Sequence, residues 1–225
     1  MKIIMLSKSE AKSVAGTCTE NSKMPCKTYN LPTVACITGF KMAQIEGSLC
    51  SQCYANSGFH AVYANTIEPL QHARLDSVWQ ASADHAQAEL WVSAIVTLIG
   101  NDRYFRWHSS GDLQSVEHLA LICEVAMQTP NCQHWLPTRE YGIVKDYIAK
   151  YGALPCNLVV RLSAMYPDKP VNVPTSLRFE ENVFVSNVHD KKAPIGLECQ
   201  ASSNNGSCGE CRACWYESVV SYKLH

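Results

Sequence analysis

The chain has 225 residues, of which 47% are hydrophobic, and 19 basic against 20 acidic residues give a formal net charge of −1. A chain of this length can bury a sizeable core without disulfides, so its twelve cysteines do not indicate a small secreted disulfide scaffold. The balanced charge does not indicate non-specific nucleic-acid binding, and no segment approaches the ~20 apolar residues of a membrane span. The start, MKIIMLSKSEAKS, lacks the apolar run of a signal peptide, so we expect a reducing cytosol.

The first sixty residues show poor periodicity and are rich in Lys, Ser, Thr, Gly and Cys, which predicts an irregular segment. We expect this segment to be ordered by whatever its cysteines bind. Residues 64–99 follow with apolar side chains at helical spacing, and they predict two helices with a break near Ser82–Ala83.

From residue 103 onward, short apolar runs alternate with helical patterns. The runs predict strands at 103–110, 132–138, 157–164 and 182–190. Ser115 is expected to cap one intervening helix, and Gly152 to end the next. Alternating strands and helices favour parallel pairing, as in an open α/β sheet or a barrel. The fold predicted is an α/β parallel barrel, TIM-barrel-like and either full or partial.

The chain is expected to be a single domain over residues 1–225. Its parts are an irregular N-terminal segment, 1–60, a β/α core, 61–190, and a cysteine-rich tail, 191–225. Both terminal segments therefore carry cysteines, and we expect them to fold over the mouth of the barrel.

Polar residues recur where the predicted strands end, which is where α/β folds gather their function. The candidate catalytic residues are His108, Asp112, Arg139 and Arg161. The candidate cofactor-binding residues are Ser110, Thr138, Ser163 and Asn187. A His–Asp pair can exchange protons, and two guanidinium groups can grip a carboxylate or phosphate. The structural alternatives are a turn cap for Asp112, a surface ion pair for Arg139 and a core position for His108.

Seven cysteines in two groups are candidate metal ligands: Cys36, Cys50 and Cys53, and in the tail Cys199, Cys208, Cys211 and Cys214. The C-x2-C-x2-C spacing in the tail matches the run with which bacterial ferredoxins hold a cubane, so a [4Fe–4S] cluster is the first expectation. Zinc is the alternative metal, for which Cys50 and Cys53 could combine with Cys211 and Cys214. A redox thiol pair at Cys50 and Cys53 is a weaker alternative, and spacing leaves open which cysteines share a centre.

The remaining cysteines give less information. Cys123, Cys132 and Cys156 lie in helix or strand patterns, which predicts that they pack as small apolar residues. The sequence does not assign Cys18 or Cys26.

Five segments in this order resemble the gene product 88-like family of bacteriophages and prophages: CITGFKMAQIEGSLCSQCYA, YFRWHSSGDLQSVEHL, WLPTREY, NLVVRLSA and CGECRACW. Members of that family are described as distantly similar to radical S-adenosylmethionine (SAM) enzymes and iron–sulfur barrels. The resemblance implies a phage-encoded protein of the host cytoplasm, with Cys36, Cys50 and Cys53 in place of the three-cysteine motif and SAM as a further cofactor. That motif is C-x3-C-x2-C, whereas thirteen residues separate Cys36 from Cys50, so an iron–sulfur barrel without SAM is the alternative.

The function expected from these observations is that of an iron–sulfur protein with redox or radical-type chemistry at the strand ends, acting on a small molecule or nucleotide. The alternative is a non-catalytic protein, stabilised by zinc or an iron–sulfur cluster, that binds a host factor or nucleic acid. Closed coordination by four thiolates would favour the alternative.

Overall fold

The computed structural model describes residues 1–20, 22–56, 63–216 and 219–224. The α-helices in these ranges are α1 Lys8–Ala15, α2 Ile37–Ala43, α3 Ala64–Ala83, α4 His85–Ile99, α5 Val116–Gln128 and α6 Tyr141–Tyr151. The strands are β1 Lys27–Tyr29, β2 Tyr104–Trp107, β3 Gln133–Thr138, β4 Leu158–Ser163, β5 Val183–His189, β6 Leu197–Glu198 and β7 Val220–Lys223.

The described strands form one sheet in the order β1-β2-β3-β4-β5-β7-β6, and every neighbouring pair is parallel. At one edge, Thr19 and Thr28 form an isolated antiparallel bridge beside β1, and at the other edge lies β6. The α/β class and the parallel pairing are therefore confirmed. Within the described ranges the sheet stays open, so closure into a barrel is not confirmed.

The central elements match the sequence-based predictions closely. The four predicted strands correspond to β2, β3, β4 and β5, and the break between the predicted helices falls at Asp84, whose side chain accepts the Gln87 N–H. Ser115 accepts the His118 N–H and caps α5, and Gly152 ends α6 with φ +85°. No described helix has both the length and the apolar character needed to cross a membrane.

The terminal segments are more regular than predicted. The expectation of an irregular segment over residues 1–60 is wrong at α1, β1 and α2, and the tail contributes β6 and β7. Helix α1 begins with a capping box, in which Ser7 and Glu10 each accept the other's backbone N–H. These elements are short, so their apolar pattern covers too few residues to show a period.

One face of the sheet packs against the helices. Alternate strand residues such as Phe105, Leu136 and Val160 are fully buried there. They share one hydrophobic core with Val92 of α4 and Ile122 of α5. Since side chains alternate along a strand, the residues between them face the other side.

The tail covers that other side, which we call the tail face. The Trp215 ring lies 5.2 Å from the Trp135 ring and its Nε1 donates to the Phe105 carbonyl oxygen at 2.9 Å. The Arg106 guanidinium lies 4.2 Å from the centre of the Trp135 ring. The molecule thus has a helix layer, a sheet and a covering tail.

Gly111 allows the chain after β1 to approach the chain after β2. Its φ is +78°, and a Cβ added there would lie 2.5 Å from the Leu31 Cβ and 2.7 Å from the Leu31 oxygen. A side chain at this position would therefore collide with the neighbouring backbone. This contact brings the segment that carries Cys36 over the carboxyl ends of the central strands.

Candidate functional site

The carboxyl ends of β2 and β3 are joined through Asp112. Its Oδ1 accepts hydrogen bonds from the Leu113 N–H at 2.8 Å and the Thr138 hydroxyl at 2.6 Å, and its Oδ2 accepts the Arg139 N–H at 2.9 Å. Burial raises the pKa of Asp112 to about 6; these hydrogen bonds oppose that rise and the charge of Glu140 adds to it. Both carboxylate oxygens thus position the strand ends.

Glu140 attaches α2 to the same edge of the sheet. Its two carboxylate oxygens accept the Thr38 N–H and the Thr38 hydroxyl, each at 2.7 Å, and the side chain is almost fully buried. The backbone N–H of Glu140 donates to Thr138 Oγ1 at 3.0 Å. Glu140 is not among the candidate residues that the sequence analysis selected. An acidic residue between a strand end and a helix is the only local signal of this role.

The thiols of Cys36, Cys50 and Cys53, which we call the edge thiols, gather at this place. Cys36 immediately precedes α2, and the Leu49 N–H donates to the Met165 carbonyl just beyond β4 at 2.9 Å. A Cβ added to Gly39 would lie 3.6 Å from the Cys36 sulfur and 3.7 Å from the Cys50 sulfur. The missing side chain of Gly39 therefore leaves a space that two thiols border.

The electrostatic surroundings of the edge thiols favour a bound cation. Burial raises the pKa of both Cys36 and Cys50, and negative charge at Asp112 and Cys53 raises them further. For Cys50 the strongest opposing influence is the Arg139 guanidinium. A cation held by these thiols would stabilise the thiolate form that burial disfavours.

The fit to a metal can be judged from the donors. Three thiols, of which Cys36 and Cys50 border one space, are a donor set suited to iron–sulfur clusters or zinc. Within the described ranges, no three His, Cys, Asp or Glu side chains are already arranged to hold a metal ion. The edge thiols are therefore of the right chemical type for a metal and lie near one another. Their side chains would have to turn towards one another to bind it.

The two candidate arginines have different surroundings. Arg161 lies inside β4, fully buried, and donates to the carbonyl oxygens of Cys214, Val185, Ala213 and Tyr216. Arg139 is half-buried at the strand end, and its Nε donates a hydrogen bond to the Ala164 oxygen at 3.0 Å. The two guanidinium groups thus bind different parts of the chain and do not form one anion-binding pair.

The candidate cofactor-binding side chains are spread over the edge. Ser110 Oγ donates to the Leu31 oxygen and accepts from Gln71, and Thr138 is bonded to Asp112. Ser163 Oγ accepts from the Ser186 hydroxyl at 3.4 Å. The Asn187 Oδ1 is buried and has no hydrogen-bond partner among the described residues. Their roles in binding a cofactor stay predictions.

His108 is buried with a positive φ of 54°, and neither ring nitrogen has a hydrogen-bond partner in the described ranges. Its ring lies 5.3 Å from the ring of His118. Burial holds the pKa of His108 well below its usual value, and the charges of His118 and Arg106 act in the same direction. His108 is therefore neutral near pH 7, and it is not hydrogen-bonded to Asp112.

Three of the four tail cysteines, Cys199, Cys208 and Cys214, form a second group on the tail face. The Cys199 N–H donates to the Ser221 oxygen at 2.8 Å, and the Cys208 N–H donates to the Lys23 oxygen at 2.9 Å. The Cys214 sulfur lies 3.2 Å from the Tyr222 hydroxyl. Burial raises the pKa of Cys214 to about 11, and Cys199 raises it further.

Cys26, which the sequence left unassigned, belongs with this group. Burial raises its pKa to about 12, and Cys208 is the thiol that raises it further. Its position directly before β1 could be recognised only once β1 was known. Among the other cysteines, Cys123 and Cys132 are buried as predicted, whereas Cys156 is exposed, so its predicted packing role is wrong.

Comparison with known proteins finds a family to which the chain is similar. No curated protein and no solved structure matches the chain. A family model described as Gene product 88 matches residues 4–217, which is nearly the whole chain. The resemblance of the five sequence segments is thereby confirmed at the level of the family: the chain belongs to the Gene product 88 family.

Proposed function

We propose that the protein is an iron–sulfur enzyme whose cluster is held at the carboxyl edge of the sheet by Cys36, Cys50 and Cys53. The observation that supports this most is the gathering of the edge thiols, from two separated segments, beside the Asp112–Thr138 junction. On this proposal the open sheet acts as a partial barrel, and the host cytoplasm is the place of action.

Three thiolates would leave one iron of a [4Fe–4S] cluster without a protein ligand, so the bound group would supply redox chemistry or a Lewis-acidic position. The residues of the chain have supporting tasks. Glu140 holds α2, and with it Cys36, against the strand ends. Gly39 leaves room between the Cys36 and Cys50 sulfurs.

Arg139 is the residue that we assign to substrate binding. Its Nε is fixed by the Ala164 oxygen, and its guanidinium lies close enough to Cys50 to lower the pKa of that thiol. The terminal nitrogens of the guanidinium can then take a carboxylate or phosphate of a small molecule or nucleotide in two parallel hydrogen bonds. Asp112 fixes the backbone N–H of Arg139, which keeps this side chain at the site.

The test is metal analysis and spectroscopy on protein purified without oxygen. We expect iron and acid-labile sulfide, broad visible absorption, and a cluster signal in electron paramagnetic resonance (EPR) after reduction. Cys36→Ser, Cys50→Ser and Cys53→Ser should each diminish that signal, whereas Cys156→Ser, at an exposed thiol, should not. A shift of the signal on addition of S-adenosylmethionine would assign the open position to that cofactor. Colourless protein without iron would refute the proposal.

A second candidate function is that of a non-catalytic protein in which zinc or a cluster is structural and the surface binds a host factor or nucleic acid. The grouping of Cys199, Cys208 and Cys214 against the sheet favours it, because closed thiolate sites stabilise folds. Metal that survives substitution of all three edge thiols, with no EPR-active site at the edge, would support this candidate.

A further inference from the structure

The tail face holds more thiols than the spacing of the tail cysteines suggests. Thr28 of β1 is aligned with Arg106 of β2, and Arg106 lies over Trp135 on the tail face. Cys26 directly precedes β1, and Met24, two residues before it, accepts a hydrogen bond from Arg106 at 3.2 Å between Nη1 and Sδ. The segment that carries Cys26 therefore lies on the tail face.

Backbone hydrogen bonds fix the tail thiols near Cys26. The Cys208 N–H bonds to the Lys23 oxygen, three residues before Cys26, and the Cys199 N–H bonds to β7 at Ser221. Tyr222, the next residue of β7, contacts the Cys214 sulfur. Three stretches of chain, which carry Cys26, Cys199, and Cys208 with Cys214, thus lie on one side of the sheet. Among the described residues their thiols are not yet arranged around a common point, so the side chains would have to turn towards one another to bind a metal.

Burial separates these thiols from Cys211. Cys26, Cys199, Cys208 and Cys214 are each partly buried, whereas Cys211 is exposed. The Cys211 N–H donates to the Cys208 oxygen at 3.0 Å, which places Cys211 on a turn at the surface. The C-x2-C-x2-C spacing would have selected Cys211 and omitted Cys26.

Positive charge lies near three of these four partly buried thiols. Arg106 opposes the rise in the pKa of Cys26, Cys208 and Cys214, and it is the cation common to all three. The buried Nε of Arg106 has no hydrogen-bond acceptor in the described ranges. A thiolate-ligated centre is anionic, so it would provide an acceptor for this N–H and would be stabilised by the guanidinium.

We propose that Cys26, Cys199, Cys208 and Cys214 hold a second metal centre, separate from the edge thiols, which joins the tail to the sheet. Its class is a metal ion or cluster with four thiolate ligands, either zinc or an iron–sulfur cluster. Closed coordination leaves no position for a substrate, so this centre is structural. It does not depend on the function proposed for the edge thiols.

The experiment counts metal in a variant in which Cys36, Cys50 and Cys53 are all replaced by Ser. Anaerobic protein is supplied with iron and sulfide in one experiment and with zinc in another. The metal that binds shows whether the centre is an iron–sulfur cluster or a zinc ion. We expect one centre per chain to remain. Adding Cys26→Ser should abolish it, and adding Cys211→Ser should leave it in place.

Titration with Co²⁺ provides a second readout in case a variant loads poorly. Thiolate-to-cobalt absorption should indicate four sulfur ligands in the edge-thiol variant and should decrease when Cys26 is replaced. Circular dichroism verifies that each variant is folded. The proposal is overturned if the edge-thiol variant binds no metal, or if Cys211→Ser removes the centre while Cys26→Ser retains it. Neither result decides the proposal for the edge thiols, which the EPR experiment on their single variants tests separately.

Discussion

The guanidinium of Arg161, inside β4, donates to the carbonyl oxygen of Cys214 across 2.9 Å. The same side chain also reaches the carbonyl oxygens of Ala213 and Tyr216, each at 2.7 Å. One buried arginine thus holds the short turn that positions Cys214 against the tail face. Arg161 therefore stabilises the tail. Of the two candidate arginines, it is Arg139 that lies beside the edge thiols.

Replacing Arg161 by Met should release the tail. The tail carbonyls would lose charged hydrogen-bond donors, each contributing about 1.5–3 kcal/mol. Since the variant no longer has the desolvation cost of a buried guanidinium, we expect the free energy of unfolding to fall by a net amount of about 2–4 kcal/mol. Urea unfolding measures this loss, and limited proteolysis should show faster cleavage after residue 190. Arg178→Met, at an exposed arginine, is the control. Equal stability of the two variants would contradict the assigned role.

Replacing Glu140 by Gln should loosen α2. The side-chain amide of Gln can accept only one of the two hydrogen bonds from Thr38, so we expect destabilisation by about 1–2 kcal/mol. Hydrogen exchange of residues 37–43 should become faster, and the edge thiols should load less metal. Glu117→Gln, at an exposed acid, is the matched control. Unchanged exchange in α2 would show that the Glu140–Thr38 contact does not hold the helix.

Replacing Gly39 by Ala should disturb the edge thiols without unfolding the protein. The added methyl would lie 2.9 Å from the Cys36 Cβ and would occupy the space beside both sulfurs. We expect lower metal occupancy at the edge and an unchanged circular dichroism spectrum. Gly142→Ala in α6 meets no atom within 4 Å, so it should leave metal binding unaffected and stabilise α6 by up to about 1 kcal/mol. Equal metal content in both variants would show that the space beside Gly39 is not used.

Acidification should destabilise the fold through its buried histidines. Burial lowers the pKa of His118 and of His134 to about 3, and it lowers that of His108 as well. Between pH 6.5 and 3 the unfolded chain therefore binds protons that the folded chain does not, and each histidine removes about 1.4 kcal/mol of stability per pH unit. Asp112, with its pKa raised to about 6, acts in the opposite direction below that pH. Three histidines outweigh one carboxyl, so stability should fall as the pH falls.

Urea unfolding at pH 7.5, 6 and 5 measures this dependence. His118→Asn removes one titrating group. It should therefore reduce the slope of the unfolding free energy against pH by about 1.4 kcal/mol per pH unit. His85→Asn, at an exposed histidine, should leave the slope unchanged. A flat profile between pH 7.5 and 5 would mean that the histidines are not held neutral.

The sequence predicted the central sheet because β2, β3, β4 and β5 are contiguous apolar runs bounded by turn residues. It missed β1, β6 and β7 because short strands are stabilised by distant partners, which local pattern does not record. The pairing of β6 with β7, and of β7 with β5, depends on how the whole tail crosses the sheet.

The sequence predicted which types of residue form the candidate sites, but it predicted less well which cysteines lie together. Cysteine spacing selected the edge thiols and the tail, but a backbone bond between Cys208 and Lys23 is what brings Cys26 to the tail. Arg161 counts among the polar residues at the predicted strand ends, whereas in the structure it lies inside β4. Its burial becomes understandable only from the tail carbonyl oxygens that accept hydrogen bonds from its guanidinium.

The two edges of the sheet also affect how copies of the protein meet one another. At one edge, Thr19 and Thr28 exchange both backbone hydrogen bonds, and at the other, β6 is only two residues long. An incoming strand therefore finds little unpaired backbone on which to align, which is how natural proteins limit edge-to-edge aggregation. Short edges of this kind in the described sheet thus work against strand-by-strand growth into polymers.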